Sequence, residues 1–179
     1  SIAAYEANGS TYLVTANEGD AREWGDEDSE AGMYAEEIDL RDMGEDGIAP
    51  LCEDLQAKVD AEGLDDKAKL GKLKLSRASG LSEDGSCYEE LYAFGGRGFS
   101  IYDASGNVVF NSDAQFEEIT KELHDAGKLT FNASNDSNEM DDRSDNKGPE
   151  PEAVTIGQVG DQTYAFVGAE RVGGIFVFN

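Results

Sequence analysis

The sequence predicts a mainly β fold: part of a β-propeller, carrying short helical insertions. Two observations point there. First, "LYAFGGRGFSIYD" (91–103) and "TYAFVGAERVGGIFVFN" (163–179) share one texture, an apolar run, Gly, Arg, Gly and a second apolar run. Second, residues 91–111 hold three short apolar runs, "LYAFGG", "GFSIYD" and "VVFNS", separated by Gly-containing turns as in an antiparallel meander. Repeated strand–Gly–strand hairpins are the sequence texture of propeller blades, at roughly 40–50 residues each. By that measure residues 1–179 form a segment of a single larger propeller domain, with roughly two to three blades.

The elements follow in order. "TYLVTA" (11–16) is β-branched and aromatic, reads as a strand, and stops at the turn Asn17-Glu18-Gly19-Asp20. "AREWGDEDSEAGMYAEE" (21–37) is acidic and weakly periodic, and reads as a long loop anchored by Trp24, Met33 and Tyr34. After Pro50, Leu51, Leu55 and Val59 recur every fourth residue, with Glu53 and Asp54 in the first turn and Gly63 at the end: a helix. "KLKLS" (72–76) alternates like a half-buried strand. Asp103 to Asn107 supply turn residues between the second and third runs of the meander. "DAQFEEITKELHDAG" places Phe116, Ile119 and Leu123 on one helical face, with Asp113 as N-cap and Gly127 as stop. "AVTIG" (153–157) reads as a further strand.

Composition narrows function. Against 14 basic residues stand 39 acidic ones, a net charge of −25. Such a chain repels phosphate backbones, which argues against nucleic acid as a partner. The same repulsion opposes compaction unless cations offset it. Halophilic adaptation and export into calcium-rich surroundings each account for the excess. No apolar run is long enough to span a bilayer. The first residue is Ser1 and the last run is strand-like, so the sequence reads as a processed or partial chain.

Cys52 falls in the helical pattern and Cys87 in a loop; one disulfide in an oxidising compartment and two buried thiols both fit this pair. Sequons at Asn8, Asn132 and Asn135 tilt the reading toward secretion and glycosylation.

Three stretches carry candidate chemistry. "NEGDARE" (17–23) sets Glu18 and Asp20 on a turn after a strand, which suits oxygen ligation of a hard divalent cation and equally suits a solvated turn. "GGRGFS" (95–100) and "AERVGG" (169–174) hold Arg97 and Arg171 beside hairpin glycines, where tight geometry or anion pairing would each explain them. "DDRSDNKGPEPE" (141–152) fits either a solvated linker or a rigid loop. It fails the register of an EF-hand, whose sixth position is Gly where this stretch has Asn146. Pro149 and Pro151 stiffen it, and a strand pattern follows at once, which favours the rigid loop. His124, the single histidine, reads as a surface residue on the polar side of its helix. The sequence holds no G-x-S-x-G, H-E-x-x-H, Walker or dinucleotide motif. Cys and His are too few for a zinc site.

Taken together, "TANEGDAREW", "LYAFGGRGFSIYD", "FEEIT", "DDRSDNKGPEPEAVTIG" and "TYAFVGAERVGGIFVF" resemble the choice-of-anchor I family. That family includes proteins like the mesenchyme-specific cell-surface glycoprotein and bacterial members labelled alkaline-phosphatase-like. The resemblance implies a YVTN/WD40-like β-propeller in secreted or surface-anchored proteins. "NKGPEPE" is also similar to a stretch of phytase-like esterase propellers, whose acidic loops face the central channel. Glu18, Asp20, Asp145, Asn146, Lys147, Glu150, Glu152, Glu170 and Arg171 fall in the matching motifs. Ala153 departs from the pattern, where Gly is expected.

The leading expectation is an extracellular or cell-surface propeller segment that binds Ca²⁺ through Glu18, Asp20, Asp145, Glu150, Glu152 and Glu170, in a structural or adhesive role. One alternative is a metal-dependent phosphoesterase, with Arg97, Lys147 and Arg171 on the phosphoryl oxygens. The other is a subunit of an extracellular assembly, paired with neighbouring chains through open sheet edges.

Overall fold

A computed structural model describes residues 1–26 and 32–179. In chain order its strands are β1 (Ile2–Ala7), β2 (Ser10–Ala16), β3 (Glu23–Gly25), β4 (Met33–Ala35), β5 (Glu37–Asp39), β6 (Lys74–Ser76), β7 (Phe99–Asp103), β8 (Val108–Asn111), β9 (Pro151–Val159), β10 (Gln162–Ala169) and β11 (Ile175–Phe178). Two helices, α1 (Glu53–Glu62) and α2 (Gln115–Asp125), interrupt them. The fold is mainly β, built of small antiparallel sheets; among the described residues these form no closed barrel or propeller. The chain divides into two compact units, the first made of Ser1–Gly19 with Gly95–Asn179, the second of Asp20–Phe94.

The first unit holds two sheets, ordered β1-β2-β7-β8 and β11-β10-β9. β1 and β2 join through Asn8-Gly9, both at positive φ (52° and 76°), the backbone a tight hairpin requires. Period-2 alternation turns Val14, Ala16, Phe99, Ala165 and Val167 inward, where they form one buried cluster with Phe116 of α2. Its centre is aromatic. Phe99 lies 4.7 Å from Phe178 and 5.4 Å from Phe110, and Phe116 lies 4.4 Å from Phe176, all as tilted pairs. Rings at these separations add attraction beyond their buried area.

The two stretches of matching texture fold differently. Residues 163–179 give the expected hairpin, with β10 against β11 in register Ala165↔Phe178. Residues 91–96 form no strand; Ala93 makes one isolated bridge to Leu75. The neighbour of β7 is instead β2, distant in sequence, paired Val14↔Ile101. A cluster of constraints enforces this. Arg97 sits in the left-handed region (φ 53°), and a Cβ on Gly98 would come within 2.2 Å of Ser112 Oγ. That hydroxyl accepts the Phe99 amide at 2.8 Å. Helix α2 begins after Ala114, not after an Asp113 cap; the Asp113 carboxylate accepts from Asn111 Nδ2 instead.

In the second unit, α1 ends on Gly63 in the left-handed conformation (φ 57°), as the helix signal required. Leu40, Leu51, Val59, Leu75 and Tyr88 form its core. Cys52, the residue preceding α1, is joined by a disulfide to Cys87, with Cα atoms 5.0 Å apart. The expected loop over 21–37 contains β3, β4 and the first residue of β5. What organises it is cross-strand: Trp24 stacks on Tyr34 at 4.1 Å, and Arg77 lies over the Tyr34 ring. Trp24 and Met33 are exposed and do not anchor the core. Glu27, Asp28, Ser29, Glu30 and Ala31 of that stretch lie outside the described residues.

Glu36 pins this unit. It is buried, and its carboxylate accepts from Arg22 Nε (2.7 Å), Arg22 Nη2 (3.0 Å) and Ser76 Oγ (2.5 Å). The Arg22 hydrogen bond first, then that of Ser76, lowers its pKa from an ordinary 4.5 to about 2. A depressed carboxylate stabilises the folded state above its unfolded pKa and loses that contribution as pH falls through the folded one. Stability followed through Trp24 fluorescence is therefore expected to fall between pH 4.5 and about 2. Glu36→Gln should lower stability at neutral pH and flatten that acid limb; an unchanged limb would remove Glu36 from the account.

Candidate functional site

The acidic stretch 141–152 is pinned by backbone hydrogen bonds and buried from Gly148 to Pro151. Arg143 N donates to Asn132 O at 3.0 Å, and Asn146 N and Gly148 N both return to Arg143 O. Gly148, Pro149, Glu150 and Pro151 are buried. Asp141, Lys147, Gly148 and Glu150 all take positive φ (63°, 65°, 65° and 50°). Non-glycine residues persist there only where surrounding contacts over-determine the backbone. The stretch is a rigid loop that runs straight into β9.

Glu150 is its focus. A register shift near Gly168/Ala169 extends the β9–β10 pairing beyond the strands, so that Glu170 N donates to Glu150 O (2.9 Å) and Arg171 N to Pro149 O (3.3 Å). The Glu150 carboxylate, 2% exposed, accepts from Arg143 Nη2 on Oε1 and from Arg171 Nε on Oε2 at 3.0 Å. Glu170 lies beside it, 3.4 Å from the same Arg171 nitrogen. Glu18, two residues beyond the end of β2, completes the group. Its carbonyl lies 2.9 Å from where a Cβ on Gly95 would stand, so only glycine lets these backbones approach this closely. One carboxylate oxygen from each of Glu18, Glu150 and Glu170 lies within 4.8 Å of the other two.

Electrostatics follow from that convergence. Burial, then the hydrogen bond to Glu150, pushes the Glu170 carboxyl above its ordinary range. Burial works against the Arg171 cation, but the hydrogen bond and field of Glu150 outweigh it and hold its pKa above the usual value. A second ion pair lies along the same loop: Arg97 donates to Glu117 Oε1 (3.0 Å) and to Ser144 O (2.7 Å). Asn132, fully buried, donates from Nδ2 to Glu117 (2.9 Å) and to Ser144 Oγ (2.8 Å). Oδ1 of Asn132 and Oδ1 of Asn146 are buried and accept no hydrogen bond among the described residues.

Of the residues singled out in the sequence, the structure gathers Glu18, Glu150, Glu170 and Arg171. Asp145 and Lys147 are half-buried in the loop, and Asp145 is not part of the converging group. Glu152 is exposed on β9, where its carbonyl accepts from the Ser1 amino group at 2.7 Å. Asp20 belongs to the second unit, exposed, its carboxylate accepting from Ala21 N. Asn8 and Asn135 are exposed, whereas Asn132 is enclosed and leaves no room for a glycan in the folded chain. His124 is half-buried rather than superficial; its Nδ1 accepts from Phe131 N at 3.3 Å just past the end of α2. Sequence reasoning missed Arg143, Glu117 and Ser144. Arg143 lies inside the quoted acidic loop, but nothing in local spacing says that it folds back onto Glu150.

The carboxylate triad suits a hard cation. Calcium takes oxygens at about 2.3–2.6 Å, so two oxygens on one ion stand at most about 5 Å apart, while magnesium allows only about 4.2 Å. Oxygens within 4.8 Å of one another fall inside the span that calcium allows. Each oxygen of an ionised carboxylate has two lone pairs, so Glu150 can hold its arginines and still face a cation.

The family model of the choice-of-anchor I domain matches residues 1–179. The chain belongs to that family. Among curated proteins, Gigasin-3a of Magallana gigas is 37% identical over 121 residues, spanning 63% of this chain and 40% of Gigasin-3a. The mesenchyme-specific cell surface glycoprotein of Strongylocentrotus purpuratus is 27% identical over 194 residues, spanning 98% of this chain and 24% of that protein. This choice-of-anchor I chain therefore spans less than half the length of either curated relative it matches. No solved structure matches it.

Proposed function

We propose that this choice-of-anchor I domain is an extracellular or cell-surface β-propeller segment in which Ca²⁺, held by Glu18, Glu150 and Glu170, supports a structural or adhesive role. The convergence of those three carboxylates within 4.8 Å carries the reading. Three carboxylates converge there within a chain of net charge −25, and a bound cation offsets their mutual repulsion. Two small antiparallel sheets, one of four strands and one of three, support the propeller part. The name of the sea-urchin relative supports the surface location.

A phosphoester-hydrolase reading has less support. Two of its three candidate cations for phosphoryl oxygens, Arg97 and Arg171, are already bound to Glu117 and Glu150.

Thermal melting in about 10 mM Ca²⁺ tests the proposal. For a dissociation constant of about 10⁻⁴–10⁻³ M, as in extracellular modules, the ion adds about 1.4–2.7 kcal/mol, a rise of about 3–10 °C in Tm. Mg²⁺ should give less, and Glu170→Gln should abolish the rise. A folded chain whose melting ignores Ca²⁺ would sink the idea.

A further inference from the structure

We infer that Asn8, at the tip of the β1–β2 hairpin, is an acceptor for an N-linked oligosaccharide, and that Asn132 is not. The sequence offers Asn8-Gly9-Ser10, Asn132-Ala133-Ser134 and Asn135-Asp136-Ser137 on equal terms. The tertiary structure separates them. Asn8, Gly9 and Ser10 are all exposed, and a Cβ built on Gly9 meets nothing within 4 Å, so the hairpin tip opens directly to solvent. Asn8 lies outside the two-strand register, which closes at Ala7↔Ser10, so a bulky substituent there disturbs no ladder hydrogen bond.

Asn132 is the opposite case. It is fully buried, and its Nδ2, the atom that would carry the sugar, donates to Glu117 and Ser144. A glycan on that nitrogen would replace one of its two N–H donors, so at least one of these hydrogen bonds is lost, and it would break the packing of the 141–150 loop. Asn135 is exposed, but its Oδ1 accepts from Arg171 Nη1 at 3.3 Å and from Ser134 Oγ at 3.2 Å, which ties it to the neighbourhood of the carboxylate cluster. The hairpin tip, exposed and outside the strand register, is the position where the modification leaves the fold undisturbed.

The donor is a polyprenyl-diphosphate-linked oligosaccharide. Asn8 Nδ2 attacks the anomeric carbon of the first sugar, and a C1–N bond forms. The C1–O bond to the diphosphate breaks, its electron pair leaving with the lipid diphosphate, and one amide proton passes to a base of the transferase. The inference requires passage through a glycosylating secretory pathway but does not depend on the metal.

To test it, the full 179-residue chain is directed into the secretory pathway of a eukaryotic cell by a cleavable leader. The folded fraction, from the medium or from microsomes, is then analysed by intact mass and by peptide mapping after peptide-N-glycosidase. The expected result is a glycan at Asn8, released by the glycosidase and lost completely in Asn8→Gln and, independently, in Ser10→Ala. Ser10→Ala should fold as the parent does, because Ser10 is exposed and in ordinary strand backbone; Asn8→Gln places Gln at positive φ, so its folded fraction is the one compared. An unmodified Asn8 in folded chain, or a glycan on Asn132 in folded chain, would overturn the inference. The calcium melt described above has its own readout and stands or falls separately.

Discussion

Replacing Glu150 by Gln is expected to destabilise the first unit by about 3–5 kcal/mol, the usual cost of removing one partner from a buried ion pair. The carboxylate is 2% exposed and balances two guanidinium groups, those of Arg143 and Arg171. Glutamine keeps the shape but presents an amide donor toward donors; it leaves the half-buried Arg143 without the Glu150 charge and Arg171 with Glu170 at 3.4 Å. The neighbouring Glu170→Gln should behave oppositely. Its carboxyl is held above the ordinary range by burial and by Glu150, so neutralising it relieves repulsion and should change stability little in calcium-free buffer. Urea unfolding followed by far-ultraviolet circular dichroism reads both. Equal effects of the two substitutions would mean that the clamp on Glu150 is not what holds the loop.

Removing the Cys52–Cys87 disulfide should be nearly as costly, and in the second unit. The bridge closes a 35-residue separation, for which the chain-entropy estimate is about 4 kcal/mol. That unit has a small core, centred on Leu40, Leu51, Val59, Leu75 and Tyr88, and α1 buries only Val59 fully. Small cores of this kind depend on covalent staples. The chain has a single tryptophan, Trp24, which stacks on Tyr34 within the same unit, so fluorescence reports it selectively. The double variant Cys52→Ala/Cys87→Ala should lower the urea midpoint seen by Trp24. A loss below about 1 kcal/mol would show that the unit does not rely on the staple.

The two halves of the 91–179 texture show where reading the sequence succeeds and where it stops. "TYAFVGAERVGGIFVFN" folds as read, because a hairpin is a local decision made by its own turn. "LYAFGGRGFSIYD" has the same texture, yet only its second run becomes a strand, since the place beside β7 belongs to β2. Asn8-Gly9 is a strong turn signal for the β1–β2 hairpin, but the same residues open a sequon, and that second pattern masks the first. The ribbon of β3 and β4 was hidden for a different reason. Its acidic residues obscured the alternation, and what holds it is a cross-strand Trp24–Tyr34 stack that no local window contains.

By itself the sequence determined the mainly β class, the positions of α1 and α2, the family, and the rigidity of the loop at Pro149 and Pro151. These depend on periodicity, turn chemistry and motif, all of which act between near neighbours. Only the tertiary structure decided that Glu18, Glu150 and Glu170 share a centre, that Arg143 folds back onto Glu150 from within the loop, and that Asn132 is closed to solvent while Asn8 is open. Glu18 and Glu150 are more than a hundred residues apart. Their meeting is set by sheet register and by the bulge after Gly168, quantities that exist only once the strands have paired.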